Sequence, residues 1–192
     1  MTEGRLRLWS RRPAEQRVLE PTSLAGSVPD TAAPYFSVVV NNGGGNKLDY
    51  YLDRRVEFRR GPCREGSRTG VARITFTNNA PASGLPPYVL GQRLRSPGSD
   101  PPRGTNRLLV YVVATAGSRL EGGELDGGLL RVVSGRERGH PVFSFSLDIA
   151  PGRSRTVELQ IKEPASDENL VLAVQPLATR QQSVVDSPIC HT

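Results

Sequence analysis

The chain has 192 residues, 36% of them apolar, with 20 glycines, 16 prolines and a formal net charge of +6. That size and composition suit one globular domain with a small appendage and exclude a wholly disordered polymer. No stretch reaches the roughly 20 consecutive apolar residues of a membrane helix, and MTEGRLRLWSRR lacks the apolar centre of a signal peptide.

The charge invites a nucleic-acid reading, but the distribution argues against it. Of 25 basic residues only Lys47 and Lys162 are lysines, and the arginines are scattered. Arg73, Arg131 and Arg155 fall within or beside apolar runs, several of them near Glu57, Glu121, Glu137 and Glu158. Nucleic-acid surfaces need a basic stripe with interleaved aromatics or a readable motif. The expectation is therefore no nucleic-acid partner and a solvated basic surface, with a weak pull on anionic envelope polymers or lipid headgroups.

In chain order, Gly4 to Trp9 reads as a short strand, with Leu6 and Leu8 on one face and Arg5 and Arg7 on the other. Ser10 and PAEQRVLE then read as a helix start, with Pro13 in the first turn and Glu15 near its positive end. Val18 and Leu19 are the residues such a helix would bury, and Pro21 stops it. Pro21 to Pro34 is a connector of Pro, Ser, Thr, Ala, Gly and Asp. The boundary falls there: residues 1–34 form an N-terminal appendage and connector, residues 35–192 the main domain.

Tyr35 to Cys63 opens that domain. Val38, Val39 and Val40 lead into the glycine-rich Asn41–Asn46, and an aromatic-rich run from Tyr50 to Phe58 leaves it. A hairpin or relaxed glycine loop is expected between them, with Tyr50 and Tyr51 on opposite faces of a strand. Beyond it, apolar residues alternate with polar ones at Ala72–Phe76, Phe143–Ile149, Val157–Ile161 and Leu170–Val174. Each set gives a strand with one dry face. Leu108–Val113 is apolar on both faces and suits a central strand. With Val38 and Leu129–Val133 the count is about eight strands. Turn chemistry at Gly117-Ser118, Asp126-Gly127-Gly128 and Pro151-Gly152 separates several of them. Two packed sheets would bury these rows together, so the expected fold is an all-β, immunoglobulin- or fibronectin-like antiparallel sandwich with a short strand–helix appendage. The link from Asn78 to Thr105 carries Pro81, Pro86, Pro87, Pro97, Pro101 and Pro102. Tyr88-Val89-Leu90 could add an edge strand there, and SPGSDPPRG reads as a solvated crossover loop.

Few residues offer chemistry. Cys63 and Cys190 are either a disulfide or two separate buried thiols, and a disulfide pinning the C-terminal tail is the better reading. It would require an oxidising compartment. Two cysteines with His140 and His191 lack zinc-finger spacing, so no metal is expected. His140 has no nucleophile elbow or positioned acid around it and reads as an exposed or hydrogen-bonded histidine at a strand start. The Asn42–Asn46 glycines lead into a strand, whereas phosphate loops lead into a helix. Asp49 and Asp53 lack calcium-loop spacing. No catalytic residue and no cofactor are assigned.

Six segments taken in order (RLWSRRPAEQRVLEPTSLAGSVP, NNGGGNKLDYYLDRRVEF, GPC, TFTNNAPASGLPPYV, RGHPVFSFSLDIAPGRSRTVELQI and VQPL) resemble a known family. It is the bacterial membrane-anchored domain-of-unknown-function family numbered four thousand and twelve, of high-GC Gram-positive cell envelopes, and the likeness is to its C-terminal portion. The resemblance implies an extracytoplasmic β-rich tail, with residues up to about Val28 closing a preceding domain. Met1 then marks a fragment, a mis-called start or a short product. The partners implied are the N-terminal domain of a longer parent or envelope polymers. The expected function is a non-catalytic module of a cell-envelope protein, exported with a longer parent. The alternatives are the accessory domain of an envelope-polymer-processing enzyme and a carbohydrate-binding sandwich. The last requires an exposed platform from Trp9, Tyr35, Tyr50, Tyr51, Tyr88 and Tyr111.

Overall fold

A computed structural model describes residues 4–92, 94 and 100–190. The N-terminal segment holds one short helix, α1 (Pro13–Leu19). The strands that follow are β1 (Tyr35–Asn42), β2 (Leu52–Arg60), β3 (Ser67–Asn78), β4 (Asn106–Ala114), β5 (Arg119–Leu125) and β6 (Gly128–Leu129). Then come β7 (Val133–Glu137), β8 (His140–Ile149), β9 (Arg153–Pro164), β10 (Val171–Val174) and β11 (Gln182–Asp186), with one helical turn, α2 (Pro87–Leu90), between β3 and β4. The first sheet runs β10-β1-β4-β8-β7 and the second β11-β2-β3-β9-β5-β6.

Alternation explains how they pack. On β2 the buried row is Leu52, Arg54, Val56, Phe58 and Arg60, while Asp53, Arg55 and Arg59 face out. Leu108, Val110 and Val112 do the same on β4, and Val157, Leu159 and Ile161 on β9. Phe36 of one sheet stacks on Phe58 of the other, ring centres 4.3 Å apart, within one continuous apolar core. A Cβ at residue 70 would sit 2.7 Å from the Phe58 ring, so Gly70 is the residue that lets this ring lie flat across β3. Each such core side chain contributes about 1.5–3 kcal/mol by leaving water.

The fold is β-rich as expected, but the sheets are mixed. β10 pairs parallel to β1, and β11 parallel to β2. Their antiparallel partners, β4 and β3, already occupy the other edges. The chain after β9 therefore reaches the remaining free edges, and Val171 N donating to Pro34 O sets the direction of the first of them. β4 is central, as its two apolar faces predicted.

Several local expectations need correction. Gly4–Trp9 is not a strand, because its one backbone bond of this kind, Leu8 N to Leu24 O, goes to the connector and starts no ladder. α1 forms where expected, its start tied by Ser10 N to Gln16 Oε1 and Ser10 Oγ to Glu15 Oε2. It buries none of its residues, and Val18 is exposed. Tyr88-Val89-Leu90 belongs to α2, since Pro87 at the first helical position pre-sets the turn. Asn41–Asn46 is no hairpin: β1 and β2 lie in different sheets, and the loop is an arch between them. A 3-10 turn, Leu48–Tyr51, precedes β2 and buries Leu48, leaving Tyr50 exposed and Tyr51 half-buried. Leu129–Val133 breaks between β6 and β7. Ser96 to Ser99 of the proline-rich crossover lie outside the described residues, as do Met1 and His191.

The side chain of Gln175 extends the first sheet past β10. Its Oε1 accepts from Val40 N at 2.8 Å and its Nε2 donates to Val40 O at 3.0 Å, as a neighbouring strand would. Gln175→Leu should therefore cost about 1–3 kcal/mol, because it strands a half-buried backbone pair. The expected readout is a lower denaturant midpoint at unchanged slope; an unmoved midpoint would show water replacing the side chain without loss.

Candidate functional site

Three polar assemblies and one groove occupy the places where segments meet. The first assembly closes the chain's C-terminal tail. Cys63 and Cys190 form the disulfide, Cα atoms 5.8 Å apart. Beside it Arg60 Nε donates to Glu163 Oε1 at 2.6 Å, with both side chains almost fully buried. Thr115 Oγ1 donates to the other carboxylate oxygen of Glu163 at 2.9 Å. Arg60 Nη1 reaches Ser187 Oγ at 2.7 Å, and Arg68 Nη1 reaches Pro188 O at 2.7 Å. Arg68 also donates twice to Gly61 O. Burial, then the charge of Arg60, lower the pKa of Arg68, while Glu163 works in the opposite sense. The assembly holds the two ends of the disulfide loop from within. Its chemistry is structural: each oxygen of the carboxylate accepts from a buried donor.

The second assembly lies under the strap after β10. Arg54, 2% exposed, points from β2 into the space between the sheets and donates from Nη2 to Gln175 O at 2.9 Å. Its Nε and Nη1 have no partner among the described residues, and burial lowers its pKa. Gln181, one residue before the Gln182–Arg55 pairing, is buried with its Oε1 also unpartnered. Thr179 Oγ1 donates to Leu52 O and fixes the strap's far end.

The third is the glycine arch. Asn42 Oδ1 accepts from the backbone of Gly44 and Asn46, and Asn42 Nδ2 donates to Asn46 Oδ1 and Asp49 Oδ2. Asn106 Nδ2 donates to Asp49 Oδ1 at 3.0 Å, so both Asp49 oxygens face amide donors. Asp53 accepts from Asn79 Nδ2 at 2.7 Å. Asp49 organises the loop while Asp53 ties β2 to the residue after β3, and no group of three or more His, Cys, Asp or Glu with metal-binding potential occurs among the described residues.

The groove, of about 570 Å³, runs between the N-terminal segment and the outer face of β1 and β10. Arg5, Arg7, Ser23, Pro29, Tyr35 and Ala173 line it, and a contiguous hollow carries it on to Val39 and Gln175. Its described lining holds cations, hydroxyls and apolar groups, and no carboxylate, thiol or imidazole. Arg7 lies directly over Gly26, where a Cβ would fall 2.3 Å from its Cδ, and donates to Ser23 O at 2.9 Å. Gly26 has φ +65°, so glycine is required there twice over. Behind the groove His140 is fully buried, with Nδ1 2.9 Å from Ala114 O and Nε2 3.1 Å from Pro29 O. The Tyr35 ring meets it edge-on at 5.3 Å. His140 thus joins the connector to the sandwich; it is hydrogen-bonded and buried, not exposed.

The sequence reading missed Arg54, Arg60 and Arg68 as interior residues. The signal was present: they share the parity of Val56 and Phe58 on β2 and of Ala72 and Ile74 on β3. The aromatic residues are divided. Trp9, Tyr50 and Tyr88 are exposed, Tyr35 is buried, and Tyr50 meets Tyr51 edge-on at 5.2 Å.

No family model matches the sequence, and no curated protein matches it. Among solved structures, a putative nutrient binding protein of Legionella pneumophila aligns over 69% of this chain and 44% of its own, with 8% identity and a TM-score of 0.40. An M1 zinc metallopeptidase of Deinococcus radiodurans aligns over 70% of this chain and 20% of its own, with 13% identity and a TM-score of 0.29. The chain spans less than half the length of either structure. Likeness of that degree carries no argument about function.

Proposed function

We propose that this chain is a non-catalytic β-sandwich module of a cell-envelope protein, immunoglobulin- or fibronectin-like in kind, with a structural or binding role. One observation carries the reading: polar side chains that are buried or half-buried between segments join those segments. Arg60, Arg68 and Glu163 hold the tail, Gln175 and Arg54 the strap, and His140 the connector. The Cys63–Cys190 bridge supports an oxidising, extracytoplasmic compartment. Membership of the four-thousand-and-twelfth domain-of-unknown-function family belongs to the same proposal, and so do its partners, the N-terminal domain of a longer parent or envelope polymers.

The experiment incubates the oxidised protein with isolated wall polymers and with the extracytoplasmic part of the longer parent. Retention of either, with polymer chain length unchanged, supports the module. Shortening or lengthening of the polymer would reveal an enzyme and overturn the reading. A polymer-binding version is favoured by Tyr50 and Tyr88, exposed rings on segments tied by Lys47 N donating to Val89 O at 2.9 Å. It predicts that Tyr50→Ala and Tyr88→Ala weaken retention.

A further inference from the structure

The N-terminal segment carries a pattern that none of the joining roles uses. Leu6, Leu8, Trp9 and Val18 are all exposed, Trp9 at 74% and Val18 at 71%. Between Arg5 and Arg17 there are five arginines against one acid, Glu15, and every one of those arginines is exposed. α1 buries none of its residues, although Arg5 and Arg7 ahead of it line the groove against β1 and β10. Arg12 pairs with Glu15 at 3.0 Å, so the arginines that concern a docking surface are Arg11 and Arg17.

Exposed aliphatic side chains, an indole and a local excess of guanidinium groups make one chemical request. The indole and the leucines favour the boundary between headgroups and acyl chains, while arginines favour anionic headgroups. A soluble polyanion would satisfy the arginines and leave the apolar groups in water. We propose that the exposed Leu6, Leu8, Trp9 and Val18, with Arg11 and Arg17 close to them in the chain, form a docking surface for an anionic lipid bilayer. The proposal concerns contact with the bilayer surface; among the described residues no helix is long and apolar enough to cross a membrane. It does not rest on the module reading above.

The chain has a single tryptophan, so Trp9 reports its own environment. The full chain, oxidised, is mixed with vesicles of phosphatidylcholine alone or of equal parts phosphatidylcholine and phosphatidylglycerol. Expected are sedimentation with the anionic vesicles only, a blue shift of Trp9 emission, and release as salt rises. Arg11→Gln and Arg17→Gln should each weaken partitioning by about fivefold. Trp9→Ser should weaken it further by sedimentation while leaving the thermal transition in place. Equal binding to neutral vesicles, or sedimentation with unmoved Trp9 emission, would overturn the proposal. So would polyglutamate displacing the protein from vesicles at matched charge, which would mark a polyanion site instead.

Discussion

Replacing Cys63 and Cys190 together by serine is expected to lower the unfolding free energy by about 4–5 kcal/mol. The bridge joins residues 127 apart in sequence, so its loss returns a very large set of conformations to the unfolded chain. The double variant is the right comparison, because a single substitution leaves one unpaired thiol that can pair elsewhere. Reduced wild-type protein should match it in a denaturant titration. The structural consequence should be local. All residues of β11 are exposed and the strand pairs on one side only, with β2. Without the bridge its amides should exchange at rates near those of an unfolded segment, while β3, β4 and β9 stay protected. A loss below about 1 kcal/mol would show that the arginine contacts hold the tail unaided.

That bridge was legible in the sequence only as one of two options, and the reason is general. Period-2 patterning reports which face of a strand is dry, so the centres of β3, β8 and β9 were readable, and the unbroken apolar run marked β4. It does not report which sheet a strand joins. β1 and β2 flank a glycine loop of the kind that makes hairpins, yet the 3-10 turn at Leu48–Tyr51 redirects the chain into the second sheet. Leu48 is buried in that turn, which anchors the crossing between the sheets. β5 and β11 escaped notice for a different reason. RLEGGEL carries two central glycines and a bulge between Leu120 and Gly122, and QSVVD has no alternation to read. Both are held by their neighbours' backbone, which leaves little trace in side-chain type.

The interior arginines illustrate the opposite failure. Their positions were encoded by parity, but charge outweighed position in the reading, since arginine is seldom fully buried. What makes burial tolerable at Arg60 and Arg68 is an arrangement assembled from four distant segments. Glu163 comes from β9, Thr115 from the end of β4, Ser187 and Pro188 from the tail, and Gly61 from the turn after β2. No local window of sequence contains that set. The candidate groove was invisible for the same reason, as it is bounded by residues 4–29 on one side and by β1 and β10 on the other.

Glu163→Ala is expected to cost about 3–5 kcal/mol, because it leaves the Arg60 guanidinium buried without its counter-charge. The side chains of both partners are only 1% exposed, so water cannot reach in to replace the carboxylate without opening the sheet edge. Thr115 keeps only its longer bond to Tyr35 O, and Arg68 loses the favourable charge of Glu163. Arg60→Met should cost a similar amount for the converse reason, a carboxylate stranded beside Thr115 in a dry site. The paired change Arg60→Met, Glu163→Leu is expected to recover most of either loss, since an apolar pair carries no desolvation penalty. Denaturant titration of the three variants then gives the coupling between the partners directly. Single variants that each cost less than about 1 kcal/mol would mean the pair is solvated in solution. Hydrogen exchange on β11 adds the deciding detail. Slow exchange there in Glu163→Ala, with the disulfide intact, would assign the tail's order to the covalent bridge. Fast exchange would assign it to the buried ion pair that positions Arg60 against Ser187.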